Sequence, residues 1–95
     1  MDITATIREK TLVVALSGEL DHHTSKELKT LVEEIIKNQN VENVIFDFSN
    51  LNFMDSSGIG VIVGRYKLIK SLGGKMAITG AKNNVKRILL MSGID

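Results

Sequence analysis

The chain has no cysteine, no proline and no tryptophan, and only one tyrosine and three phenylalanines among its 95 residues. Without cysteine there is no disulfide, no thiolate nucleophile and no thiolate zinc site, a composition that suits a reducing interior. Without proline, no helix is kinked by a pyrrolidine ring, and so few aromatics leave little material for stacking on bases. Charge of one sign is also lacking. The formal net charge is +1, with acids and bases interspersed, so nothing argues for nucleic acid or an anionic membrane as partner. No apolar run reaches the length of a membrane span, and the start, Met1-Asp2-Ile3-Thr4, is not a basic-then-apolar signal. These absences predict a protein that works in the cytoplasm, where it is made.

What is present is ordinary for a folded chain: 43% hydrophobic and 24% charged residues. A chain of this length buries a little over ~60% of its unfolded surface, enough for one domain spanning residues 1–95. Ile3, Ala5 and Ile7 alternate with polar residues and predict a half-buried first strand. Leu12 to Leu16 is a continuous apolar run that predicts a strand buried on both faces and ended by Gly18. Thr24-Ser25-Lys26-Glu27 reads as a capping box in front of Leu28, Leu31, Val32, Ile35 and Ile36, one apolar stripe of a helix that Asn38-Gln39-Asn40 breaks. Val44 to Phe48 predicts a third strand, followed by a Ser49-Asn50 turn. A helix from Ser56 or Ser57 to about Leu72 carries Ile59, Ile62, Val63, Tyr66 and Ile69, with Gly73-Gly74 as its left-handed end. Lys75 to Thr79 is the last strand. Asn83 or Asn84 then caps a helix holding Val85, Ile88, Leu89 and Met91, stopped by Gly93.

The expected order is therefore β-β-α-β-α-β-α, an α/β fold with a mixed four-stranded sheet. Helical crossovers make the later strands parallel, and a hairpin makes the first antiparallel.

The informative stretch is Phe53-Met54-Asp55-Ser56-Ser57-Gly58-Ile59-Gly60, between a strand and a helix at the carboxyl edge of the sheet. Open α/β folds place their working sites there. A helix start offers free N–H groups and partial positive charge, and so accommodates an anion. Gly58 follows the two hydroxyls, which predicts uncrowded access to them. The plain alternative is that Asp55 or Ser56 is an N-cap and nothing more. A hydrolase elbow is disfavoured, because Met54 and Asp55 stand where the glycine before the nucleophile belongs. Gly58, Gly60 and Gly64 miss the dinucleotide fingerprint by one residue. Gly60 and Gly64 share one helix face instead. Close backbone approach explains such glycines, with the sheet expected against Gly64 and a partner against Gly60. Glu19, Asp21, His22 and His23 form the one cluster resembling a metal site, but adjacent loop histidines seldom converge and a firm third ligand is missing. The bland reading is a polar loop on the same edge as the Ser56 turn, where the two would form one contact patch.

Taken with Gly18-Glu19-Leu20-Asp21, with Gly60-Val61-Ile62-Val63-Gly64-Arg65-Tyr66 and with the closing Met91-Ser92-Gly93, this stretch resembles the STAS domain. More narrowly, the chain looks like the anti-sigma factor antagonists of sporulation. The resemblance implies a phosphoprotein that is a substrate and binding module, not an enzyme, with no cofactor and no metal. Its implied partners are an anti-sigma factor that is a serine kinase with a histidine-kinase-like ATP fold, and a serine phosphatase. Ser56 is the implied phosphorylation site, supported by Asp55, Ser57 and Gly58, with Ser57 expected to bond within its own turn. Asp21, Ser56, Ile59, Gly60 and Arg65 are the implied partner-binding residues. The same fold serves as an appendage of anion transporters, which would require many apolar spans, and a nucleotide sensor or an enzyme are the other classes to weigh. Family members usually continue for another element beyond the position of Asp95, which leaves the last helix less covered here.

Overall fold

Alternating and helical periodicities resolve into seven elements in the computed structural model, which describes residues 1–93. Strands β1 (Asp2–Arg8), β2 (Thr11–Leu20), β3 (Asn43–Met54) and β4 (Met76–Thr79) form one sheet in the order β1-β2-β3-β4. β1 is antiparallel to β2; β2, β3 and β4 are parallel. Helices α1 (His22–Asn38), α2 (Ser56–Ser71) and α3 (Asn83–Met91) follow β2, β3 and β4. The element order and the mixed sheet are those read from the sequence. Asp95, and the expectation attached to the end of the chain, lie outside the described residues.

Two successive right-handed crossovers that advance the same way along a sheet put their helices on the same face. α1 and α2 accordingly lie side by side, over Leu12, Val14, Leu16 and Leu20 of β2 and Val44, Phe46, Phe48 and Leu51 of β3. Those side chains, with Leu28, Val32, Ile62 and Ile69, are almost completely buried and form the core, which Val85 and Leu89 of α3 complete.

The opposite face of the sheet is a different surface. Val13, Ala15, Ile45 and Asp47 are only half-buried there. The prediction that β2 is buried on both faces is thus corrected: its unbroken apolar run hides an alternation between a sealed side and a partly open one. β1 needs a similar correction. Ile3, Ala5 and Ile7 pair with Leu16, Val14 and Leu12, and so point to the helix side, but Ala5 and Ile7 are exposed because α1 does not reach the edge strand.

Strand ends also differ from expectation. β2 runs past Gly18 to Leu20 through two register shifts, and β3 runs through Ser49-Asn50 to Met54. Asp47 side-chain bonds from the Ser49 amide and hydroxyl support the chain there without a turn. Lys82, not Asn83 or Asn84, precedes α3, and Met91 is exposed rather than part of its apolar stripe. Among the described residues, no helix is long and apolar enough to cross a membrane.

Candidate functional site

β2 and β3 end level with one another: Leu20 is the register partner of Met54, and the Asp55 amide donates to the Leu20 carbonyl at 3.2 Å. Each strand is followed at once by an aspartate that caps a helix. Asp21 caps α1, accepting from the His23 and Thr24 amides, both at 3.0 Å, and from the Thr24 hydroxyl. Thr24 Oγ1 accepts in return from the Asp21 amide, so the capping box is Asp21/Thr24 and the cap lies three residues before the predicted Thr24 cap. Asp55 caps α2 by accepting from the Gly58 amide at 3.0 Å. Two helix N-termini, each with its partial positive charge, therefore open side by side on one edge of the sheet.

Ser56 is the first residue of α2, exposed, and its hydroxyl has no hydrogen-bond partner among the described residues. Ser57 is half-buried, and its partner lies across the gap rather than in its own turn: His22 Nδ1 is 3.3 Å from Ser57 Oγ. That contact corrects the local bond expected for Ser57. It also puts a histidine beside a serine, which spacing could not foresee. No acid among the described residues orients the other nitrogen of His22, so a hydrolytic triad is not assembled. The His22 and His23 rings are 5.9 Å apart, edge to face, and the Asp21 carboxylate is taken up by capping. The described residues hold no group of three metal-ligating side chains.

The Thr24 amide and hydroxyl bonds, foremost among the causes, hold the Asp21 carboxyl below the usual carboxylate range. The charge there belongs to the helix cap first and is available to a partner second.

Gly58 does not leave the turn uncrowded, as its place in the sequence predicts. It is buried, and a Cβ there would meet Met54 Cγ at 2.8 Å and the Leu20 carbonyl oxygen at 2.9 Å. Gly58 lets the first turn of α2 press against the ends of β2 and β3. Gly60 lies one turn beyond Ser56, exposed, with nothing within 4 Å of the position that a Cβ would take. Gly64 also faces open space, which corrects the expectation that the sheet lies against it. Ile59 is half-buried beside the core.

Arg65 is placed elsewhere. It is 9% exposed, on the side of α2 that meets α1, and its Nη1 lies 3.1 Å from Glu33 Oε1. The pair is close enough for charge attraction, but the N–H is not aligned as a hydrogen bond, and Nε and Nη1 are buried without one. Arg65 joins two helices and is absent from the patch formed by Asp21, Ser56, Ile59 and Gly60.

His22 belongs to the polar loop that the sequence already places on this edge, but its contact with Ser57 had no signal in the spacing. Phe53, 46% exposed beside the turn and paired in register with Glu19, had no separate signal.

Residues 2–95 match the family model of the STAS domain. The chain is 51% identical to the anti-sigma F factor antagonist of Paenibacillus polymyxa over 83 residues, which is 87% of this chain and 71% of that one. Its fold is similar to the anti-sigma factor antagonist SpoIIAA in its unphosphorylated form, with TM-score 0.89, 29% identity, and coverage of 98% and 82% of the two chains. It is also similar to the Bacillus cell fate determinant SpoIIAA in the phosphorylated form, with TM-score 0.85, 28% identity, and coverage of 98% and 85%.

Proposed function

The chain belongs to the STAS-domain family, and from that premise we propose that it is an anti-sigma factor antagonist switched by phosphate on Ser56. Unphosphorylated, it binds an anti-sigma factor, a serine kinase with a histidine-kinase-like ATP fold, and so releases a sigma factor for transcription in sporulation. The kinase phosphorylates Ser56, and a serine phosphatase removes the phosphate. All of this takes place in the cytoplasm. The protein is a regulator and substrate rather than an enzyme, and it needs neither cofactor, nucleic acid nor membrane.

The observation that carries this reading is the position of the Ser56 hydroxyl. It is exposed and unengaged at the first residue of α2, beside a second helix start. A phosphoryl group adds about −1.5 to −2 charges. Two helix dipoles and free N–H groups tolerate that charge, so the fold survives it. Inside a packed interface the same charge stands beside Asp55 and is costly to desolvate, so binding fails. Likeness to SpoIIAA in both phosphorylation states supports a switch that spares the fold.

Asp21, Ser56, Ile59 and Gly60 form the partner surface in this reading, with Phe53 at its border. Arg65 keeps α2 in register with α1 and does not touch the partner.

Incubation with a cognate anti-sigma factor kinase and ATP should add one phosphate by intact mass, placed on Ser56 by fragmentation. A Ser56→Ala variant should bind the kinase and stay active as an antagonist. Phosphate found on Ser57, or a Ser56→Ala protein that folds but does not bind, would refute the assignment.

A further inference from the structure

Ser56 and Ser57 are adjacent and chemically alike, so a choice between them has to come from their surroundings. Resting on the reading of this turn as a phosphoacceptor, we propose that His22 is the positioning residue that makes the choice: its ring holds and screens Ser57, leaving Ser56 as the hydroxyl on offer.

The contact is between Nδ1 of the first residue of α1 and Oγ of the second residue of α2, 35 positions apart in the chain, at 3.3 Å. Its geometry is fixed from both sides. The Asp21 cap sets the start of α1, the Asp55 cap sets the start of α2, and the Asp55 amide ties the two strand ends together through the Leu20 carbonyl. His23 stands edge to face with the His22 ring and limits its swing.

Phosphorylation forms a bond from serine Oγ to the γ-phosphorus of ATP and breaks the bond from that phosphorus to the bridging oxygen, which leaves with ADP. The hydroxyl proton passes to a base on the kinase. Oγ has to meet phosphorus in line with the leaving oxygen, from an unobstructed side. At Ser57 an imidazole occupies one approach and the residue is half-buried; at Ser56 neither obstacle is present. His22 is not arranged as an activating base, since none of the described residues orients its other nitrogen as a base requires.

The test uses Ser56→Ala, in which Ser57 is the remaining acceptor of the pair, incubated with a cognate anti-sigma factor kinase and ATP. Adding His22→Ala should raise phosphate incorporation at Ser57 by about two- to tenfold, the change in occupancy that one net hydrogen bond commands. His22→Asn, whose amide restores a polar atom near the place of Nδ1, should return incorporation to the lower level. Unchanged labelling of Ser57 on loss of the ring overturns the proposal. Reduced labelling overturns it too, because the imidazole would then be assisting Ser57.

A second readout needs no kinase. The imidazole nitrogen resonances of His22 should shift in Ser57→Ala and hold in Ser56→Ala. Resonances indifferent to Ser57→Ala mean that the contact is absent in solution, and the proposal falls. Failure of the kinase to label either serine of the unaltered chain would instead defeat the phosphoacceptor reading, with the resonance experiment still deciding whether His22 engages Ser57.

Discussion

A methyl group at Gly58 would sit 2.9 Å from a backbone carbonyl oxygen that cannot move without disturbing β2, whereas one at Gly60 would meet nothing within 4 Å. The same substitution two residues apart should therefore have opposite signs. Gly58→Ala is expected to destabilise by about 1–3 kcal/mol through overpacking. Gly60→Ala should stabilise by up to ~1 kcal/mol, since alanine is the better helix former and chain entropy falls. Urea midpoints of the two variants check both. Gly60→Ala should also weaken partner binding, because its methyl projects beside Ser56; unchanged affinity would remove Gly60 from the interface. A third residue is under strain rather than crowding. Glu9 adopts φ 56° in the turn between β1 and β2, a conformation that costs an L side chain roughly 1–2 kcal/mol. Glu9→Gly should recover part of that, read as a higher urea midpoint.

At the scale of elements, the Asp21 cap links stability to pH. The Asp21 carboxyl titrates lower in the folded protein than in the unfolded chain, chiefly because of its bonds from Thr24. Its contribution is thus present above the unfolded carboxylate range, near pH ~3.9, and is lost as pH falls through the lower folded value. Asp21→Asn should flatten the acid limb of the stability curve. Asp21→Lys should lower the thermal midpoint, because it removes the cap and puts a cation at the positive end of α1. That differs from the expectation of a purely interfacial residue, whose replacement would leave the midpoint alone.

The elements themselves were legible because periodicity reports burial, and α1 and α2 each bury one stripe. Strand ends were not, because β2 and β3 continue through glycine and polar residues held by bulges and by Asp47, which carry no pattern of period two. The site was legible as a motif at Ser56 and Gly60. Its geometry was hidden, since His22 reaches Ser57, and Arg65 reaches Glu33, only when α1 and α2 are side by side.

For the molecule as a whole, the Arg65–Glu33 pair is the ion pair between the two covering helices among the described residues, beside the His22–Ser57 contact at their first turns. Arg65 is buried while Glu33 is 45% exposed, so the charges are unequal in what they lose with the partner gone. Glu33→Gln should destabilise by about 1 kcal/mol, because it removes the charge facing the buried guanidinium, an attraction that solvent at the exposed Glu33 already screens. Arg65→Met, which removes the buried charge with its long stem kept as hydrocarbon, should be close to neutral. Calorimetric midpoints for the pair of variants separate the two. The strand order β1-β2-β3-β4 has a further consequence. Every strand lies against the one before it in the chain, so no pairing has to wait for a distant segment. The search for native contacts can advance as a zipper does, one strand and one helix at a time, at a small loop-closure cost per step. A chain emerging from the ribosome could therefore pair β1, β2 and β3 before β4 and α3 have come out.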